Sequence, residues 1–137
     1  MSNKITVQTS INAPISLVWE TWNSPDDIVG WCFASDDWHA PRALNELEVG
    51  GKFVTTMAAK DGSGSFDFSG TYTTIEQNKK ISYTLDDDRT VEIVFEENEG
   101  KVLVTETFEM ENENTEELQR AGWQAILENF KKHTESK

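Results

Sequence analysis

The stretch that most constrains this chain is its last, Asn114 to Lys137, whose spacing predicts a single long amphipathic helix. At about 100° per residue, Leu118, Gly122, Trp123, Ala125, Ile126 and Phe130 fall on one half of the helical wheel, and Arg120, Gln124, Glu128, Lys131 and Lys132 fall on the other. A helix that is apolar on one side must be covered, so the rest of the chain has to supply the covering surface. Asn114 with Glu117 three residues later reads as an N-cap with its acidic partner, and Lys131, Lys132 and His133 place positive charge where the helix dipole favours it. The apolar face is interrupted. Gly122 costs roughly 1 kcal/mol of helix propensity relative to alanine, and Gln119, Asn129 and His133 fall on or near the same arc.

The cover is predicted to be a sheet. Ile5, Val7, Thr9 and Ile11 alternate with polar residues, the period of a strand with one buried face. Pro14 ends that strand and opens a helix carried by Leu17, Val18, Thr21 and Trp22. Ser24-Pro25-Asp26-Asp27 reads as a second helix start, an N-cap serine followed by proline and two acids, leading to Ile28 and Trp31. Residues 32 to 50 show no clean period, yet the cluster Trp31, Cys32, Phe33 and Trp38 is too apolar for a solvated loop. After Gly50-Gly51 the alternation resumes through Phe53, Thr55, Met57 and Ala59, then Phe66, Phe68, Gly70, Tyr72 and Thr74. It continues through Ile81, Tyr83 and Leu85, then Val91, Ile93 and Phe95, and last Val102, Val104, Glu106, Phe108 and Met110. Short polar turns separate these runs. The expected order is β-α-α-β-β-β-β-β-α, an α+β fold in which a six-stranded antiparallel sheet offers its concave face to the C-terminal helix.

Length and charge narrow the function classes. A chain of 137 residues predicts one domain spanning 1–137. A net charge of −13 excludes nucleic acid as an expected partner, because polyanions are bound by concentrated lysine and arginine. No apolar run reaches the roughly 20 residues that cross a bilayer, so membrane insertion is not expected. With one cysteine and no apolar run after Met1-Ser2-Asn3-Lys4, the expected location is the cytoplasm.

Five motifs in order carry a resemblance: Ile11-x-Ala13-Pro14-x-x-x-Val18-Trp19, Val49-Gly50-Gly51-Lys52-Phe53, Phe66-Asp67-Phe68-x-Gly70-x-Tyr72, Val104-Thr105-Glu106-Thr107-Phe108, and Gln119-Arg120-x-Gly122-Trp123-Gln124-Ala125-Ile126-Leu127-x-Asn129. Over nearly its whole length the chain resembles the bacterial homologues of the activator of heat-shock-protein-90 ATPase, within the START-like (SRPBCC) superfamily that includes birch pollen allergens and polyketide cyclases. The resemblance implies the helix-grip fold, a curved antiparallel sheet wrapped around the long C-terminal helix with a cavity between them. It also implies a small hydrophobic ligand, lipid-like, sterol-like or aromatic polyketide-like; no cofactor is expected. A chaperone partner is the alternative implied by the family's name, and a cyclase or hydrolase using the same cavity is a second alternative; one scaffold hosts many activities.

Under that reading the candidate ligand-binding residues are Trp31 and Trp38 from the apolar cluster, Met57, Phe66, Phe68, Tyr72, Tyr83, Phe95 and Phe108 from the strands, and Gln119, Gly122, Trp123 and Ile126 from the helix. The aromatic ones are equally readable as plain sheet core. Glu106 completes the set: alternation places its carboxylate on the face of Val104 and Phe108, where it either pairs with Arg89 or a tyrosine hydroxyl, turns outward at a bulge, or anchors a ligand inside a cavity. Glu106, Tyr72, Tyr83 and Gln119 are the expected polar contacts. Cys32 with His39 has the makings of a nucleophile and base but lacks an orienting third group and an elbow motif, and a buried inert thiol is the simpler reading. Asp36, Asp37 and His39 lack the spacing of a familiar metal site, so no metal residue and no catalytic residue is assigned.

Overall fold

The first alternating run forms β1 (Lys4–Ile11), with Ile5, Val7 and Ile11 buried. In the computed structural model, which describes residues 4–137, it is followed by α1 (Ile15–Asn23), the single turn α2 (Pro25–Ile28) and then β2 (Trp38–Asn45), β3 (Lys52–Ala59), β4 (Ser65–Glu76), β5 (Lys80–Leu85), β6 (Thr90–Asn98), β7 (Lys101–Glu109) and α3 (Glu116–Glu135). The reading of the chain start rests on Met1 to Asn3 and lies outside the described residues. The strands form one antiparallel sheet in the order β1-β7-β6-β5-β4-β3-β2. It curls into a half-barrel around α3, the α+β helix-grip arrangement expected.

The sheet has seven strands and not six. The additional strand is β2, and its period is broken for a physical reason: Pro41 withholds a ladder donor, and the pairing with β3 shifts between His39 and Arg42. The inward-facing side chains Ala40 and Ala43 therefore fall three apart, which no period-2 template recognises. As β2 is an edge strand, it tolerates both departures.

Helix α3 starts one residue later than expected. Thr115 is its N-cap, with Oγ1 accepting from the Leu118 amide at 3.1 Å, while Asn114 lies outside the helix and its carbonyl accepts from Gln119 Nε2 at 2.8 Å. Ser24, expected to cap α2, makes no side-chain cap bond. Gln119, Leu127, Phe130 and Thr134 are the buried residues of α3; Trp123, Ile126 and Phe130 of the expected face pack on the core, whereas Leu118 is 63% exposed. Its polar side reaches β1: Arg120, Gln124 and Lys131 donate to the carbonyls of Thr6, Gln8 and Ser10 at 2.9, 3.2 and 2.5 Å. At its far end His133 and Lys137 converge on Asp27 of α2, at 3.0 and 2.7 Å. Burial raises the Asp27 carboxyl, but the hydrogen bonds and charges of Lys137 and His133 outweigh it and hold the group below its usual value.

Candidate functional site

Between the inner face of the sheet and α3 lies a cavity of about 440 Å³. Alternation along β3 turns Phe53, Thr55 and Met57 into it, and β4, β5 and β7 add Phe68, Tyr72, Tyr83 and Glu106. Above them α3 presents Gln119, Gly122, Trp123 and Ile126. The segment after α2 closes one side with Trp31, Cys32 and Phe33, joined by Trp22 from α1. Exposed Leu118 and Phe66 also line the space and mark its mouth, together with Glu111, Asn114 and Arg89.

The walls are stiffened by aromatic contacts. Phe53 lies at the centre of one cluster, with ring centroids 4.7 Å from Tyr83, 5.4 Å from Tyr72 and 5.7 Å from Phe68. Its ring fits because Gly70 opposite it on β4 has no side chain: a Cβ there would stand 3.1 Å from the ring. A second cluster, Trp22, Trp31 and Phe130, has centroids 4.8 to 5.0 Å apart, and Trp31 Nε1 donates to the Thr21 carbonyl. Trp123 is stacked on Phe108 at 3.9 Å and meets Phe68 edge-on. At Gly122 an added Cβ would meet nothing within 4 Å, so the space reaches the helix backbone there.

Of the candidate residues, Trp31, Trp38, Met57, Phe66, Phe68, Tyr72, Tyr83, Glu106, Gln119, Gly122, Trp123 and Ile126 line this cavity. Phe95 and Phe108 do not. Phe95 is packed behind the wall against Trp19 and Trp22, and Phe108 lies beneath the Trp123 ring. The lining also includes Trp22, Phe33, Phe53 and Thr55, which sequence reasoning left out of the site. Phe53 and Thr55 carry the same alternation as Met57 and were within reach; nothing local to Trp22 or Phe33 distinguishes lining from core.

The four polar candidates separate by their hydrogen bonds. Tyr72 donates its hydroxyl to Asn45 Oδ1 at 2.6 Å, and the Gln119 amide is taken up by the backbone of Glu111 and Asn114. Both brace the walls. Among the described residues, no hydrogen bond or ion pair reaches the side chains of Glu106 or Tyr83. Arg89 is not the partner of Glu106: it pairs with Asp87 at 2.8 Å. Nor does a bulge turn Glu106 outward, since β7 keeps register with Ile93 on one side and Val7 on the other, and Glu106 is 5% exposed.

Burial without a cation raises the Glu106 carboxyl to about 8. Burial, and then the Glu106 charge, raises the Cys32 thiol to about 12, and the same two causes move the Tyr83 hydroxyl well above its usual value. Cys32 is therefore held as an unreactive thiol, and no hydrogen bond joins it to His39, which is exposed on β2. Asp37 accepts instead from Ser35, and no group of three or more His, Cys, Asp or Glu arranged to hold a metal occurs among the described residues.

The sequence profile of the family described as activator of Hsp90 ATPase homolog 1-like protein matches residues 12–135. The chain belongs to that family. The solution structure of an AHSA1-like protein from Aeromonas hydrophila is similar at a TM-score of 0.91 and 45% identity, covering 98% of this chain and 93% of that one. A solution structure from Cytophaga hutchinsonii is 50% identical at a TM-score of 0.84, covering 97% and 92%. A crystal structure from Chromobacterium violaceum shares the fold at 0.87 with 20% identity, covering 97% of each chain. No curated protein matches. AHSA1-like proteins have the START-like helix-grip fold, whose members often bind hydrophobic ligands. No helix among the described residues is long and apolar enough to cross a membrane.

Proposed function

We propose that the protein binds a small apolar molecule, lipid-like, sterol-like or aromatic polyketide-like, in the cavity between the sheet and α3. The carrying observation is that space itself: about 440 Å³, walled by aromatic and aliphatic side chains and extending to the backbone at Gly122. Its volume lies within the range of about 300 to 1,000 Å³ found for small-molecule sites, and its few polar groups among apolar walls match their chemistry. The free, buried Cys32 is in keeping with a cytoplasmic setting.

Thermal unfolding against a library of such compounds tests the reading. A ligand that binds only the folded state at a hundred times its Kd stabilises it by about 2.7 kcal/mol, which for a chain of this length raises the Tm by roughly 5 to 10 °C. Gly122→Leu should abolish the shift while leaving the chain folded, because the new side chain occupies the space beside the helix and gains about 1 kcal/mol of helix propensity. A broad library without a single stabilising member overturns the reading, as does unfolding by Gly122→Leu. Salt-sensitive stimulation of a heat-shock-protein-90 ATPase, with no ligand effect, would favour chaperone docking instead.

A further inference from the structure

Two side chains with titratable oxygens in the cavity are left without hydrogen-bond or ion-pair partners among the described residues, as is the Thr55 hydroxyl on β3, and the two come from different strands of the same inner face: Glu106 on β7 and Tyr83 on β5. Both line the one cavity, and across the sheet Tyr83 pairs with Val91 and Val91 with Phe108, two residues along the same inner face from Glu106. We propose that together they grip a ligand carbonyl: the Glu106 carboxyl and the Tyr83 hydroxyl both donate to the oxygen of a ketone, enone or quinone borne on an apolar ring system. The inference rests on the apolar-ligand reading above and adds the chemistry of the ligand's polar end.

The argument is one of donors and charges. A tyrosine hydroxyl donates, and a carboxyl donates when protonated. What would keep Glu106 ionised is a cation, and none faces it among the described residues. Arg89, the basic residue in the lining, is held by Asp87. Helix α3 turns Gln119, Gly122, Trp123 and Ile126 toward the cavity, while its Arg120 and Lys131 reach the carbonyls of β1. From α1 comes Trp22 and from β3 Thr55, neither ionisable; the inner faces of β6 and β1 are aliphatic or aromatic around Ile93 and Val7. The titratable neighbours are Tyr72, Tyr83 and Cys32, all neutral at physiological pH, and Glu111 stands at the mouth. A carbonyl oxygen has two lone pairs for these two donors, whereas a bare hydrocarbon leaves both unmade. A carboxylic acid kept neutral by an apolar site can donate, together with a phenol, to one ketone oxygen. An anionic ligand would meet Glu111 at the mouth and no unpaired cation among the described lining residues. An amine would first have to ionise a buried acid.

Three probes of one shape decide it: acetylnaphthalene, ethylnaphthalene and naphthylethylamine, titrated calorimetrically into the full chain. Near pH 7 the ketone is expected to bind about five- to tenfold more tightly than the hydrocarbon. Its affinity should fall about tenfold between pH 7 and pH 9 as the carboxyl, raised to about 8, ionises and the donating form becomes the minority. Glu106→Leu should erase the ketone preference. Glu106→Gln retains an N–H donor, so it should retain the preference and lose the pH dependence. Equal affinity for ketone and hydrocarbon overturns the proposal, as does a preference that survives Glu106→Leu. So does an amine that binds most tightly and gains affinity as pH rises. In each of those cases the hydrocarbon still binds and the apolar-ligand reading stands; if none of the three probes binds while compounds of the library do, the carbonyl proposal falls alone, and if the library is silent as well both fall.

Discussion

A carboxyl raised to about 8 by burial holds its proton more tightly in the folded chain than in the unfolded one, where it titrates near 4.5. Between those values the folded state carries more protons, so Glu106 makes stability fall as pH rises through that window and level off above it. Glu106→Gln removes the effect. Its gain over the parent chain should be small below about pH 4.5 and grow to roughly 3–5 kcal/mol by pH 8 to 9. Urea unfolding of both chains across that range reads the difference, and a gap that stays constant with pH would mean the carboxylate is ionised at little cost. The position of Glu106 was legible because period-2 alternation is blind to charge: it places residue 106 inward whatever the side chain. Its isolation was not legible. That depends on Arg89 turning back to Asp87 within its own turn, a choice of side-chain direction on which sequence spacing is silent.

At the scale of the element, the expected face of α3 holds at Gly122, Trp123, Ile126 and Phe130 and fails at Leu118. Leu118 and Leu127 are nine residues apart, half a turn of the wheel at about 100° per residue, so they face opposite ways. The expected face ran from Leu118 through Gly122 and Ile126 to Phe130 and Trp123; the most buried residues, Gln119, Leu127, Phe130 and Thr134, extend it on the side away from Leu118. Hydrophobicity alone misleads here because Leu118 belongs to the cavity mouth, and because Gln119, although polar, is buried with its amide fully engaged by backbone. Truncation distinguishes the two faces. Leu127→Ala should cost about 2–5 kcal/mol, since the leucine is fully buried, and Leu118→Ala should change stability by less than about 0.5 kcal/mol. Similar losses for the two variants would place Leu118 on the packed face. The strands fared better, since each has one buried face and a turn at either end. The exception is β2, where a proline and a bulge erase the one signal that alternation offers.

Across the molecule as a whole, charge sets how stability responds to solution conditions. With 25 acidic and 12 basic side chains, a net −13 is confined to a compact surface when the chain folds and is spread out when it unfolds. The exposed ion pairs, such as Lys80 with Glu92 at 3.5 Å, contribute little that salt can remove. Raising ionic strength from about 0.01 M to 0.5 M shortens the screening length from about 30 Å to a few ångströms and should therefore raise the Tm. A fall would show that attractive pairs outweigh the repulsion.

The three side chains that α3 sends to β1 have a consequence for how copies of this chain coexist. Thr6, Gln8 and Ser10 lie two residues apart, so their carbonyls form one row along the free edge of the sheet, and Arg120, Gln124 and Lys131 occupy that row. A row of open carbonyls is a template for another chain's strand; here it is filled from within. The opposite edge is blunted by Pro41 and the bulge in β2. The helix that roofs the cavity thus also keeps one molecule from adding its sheet to the next, so a change that lifts α3 to widen the cavity would trade ligand capacity for self-association.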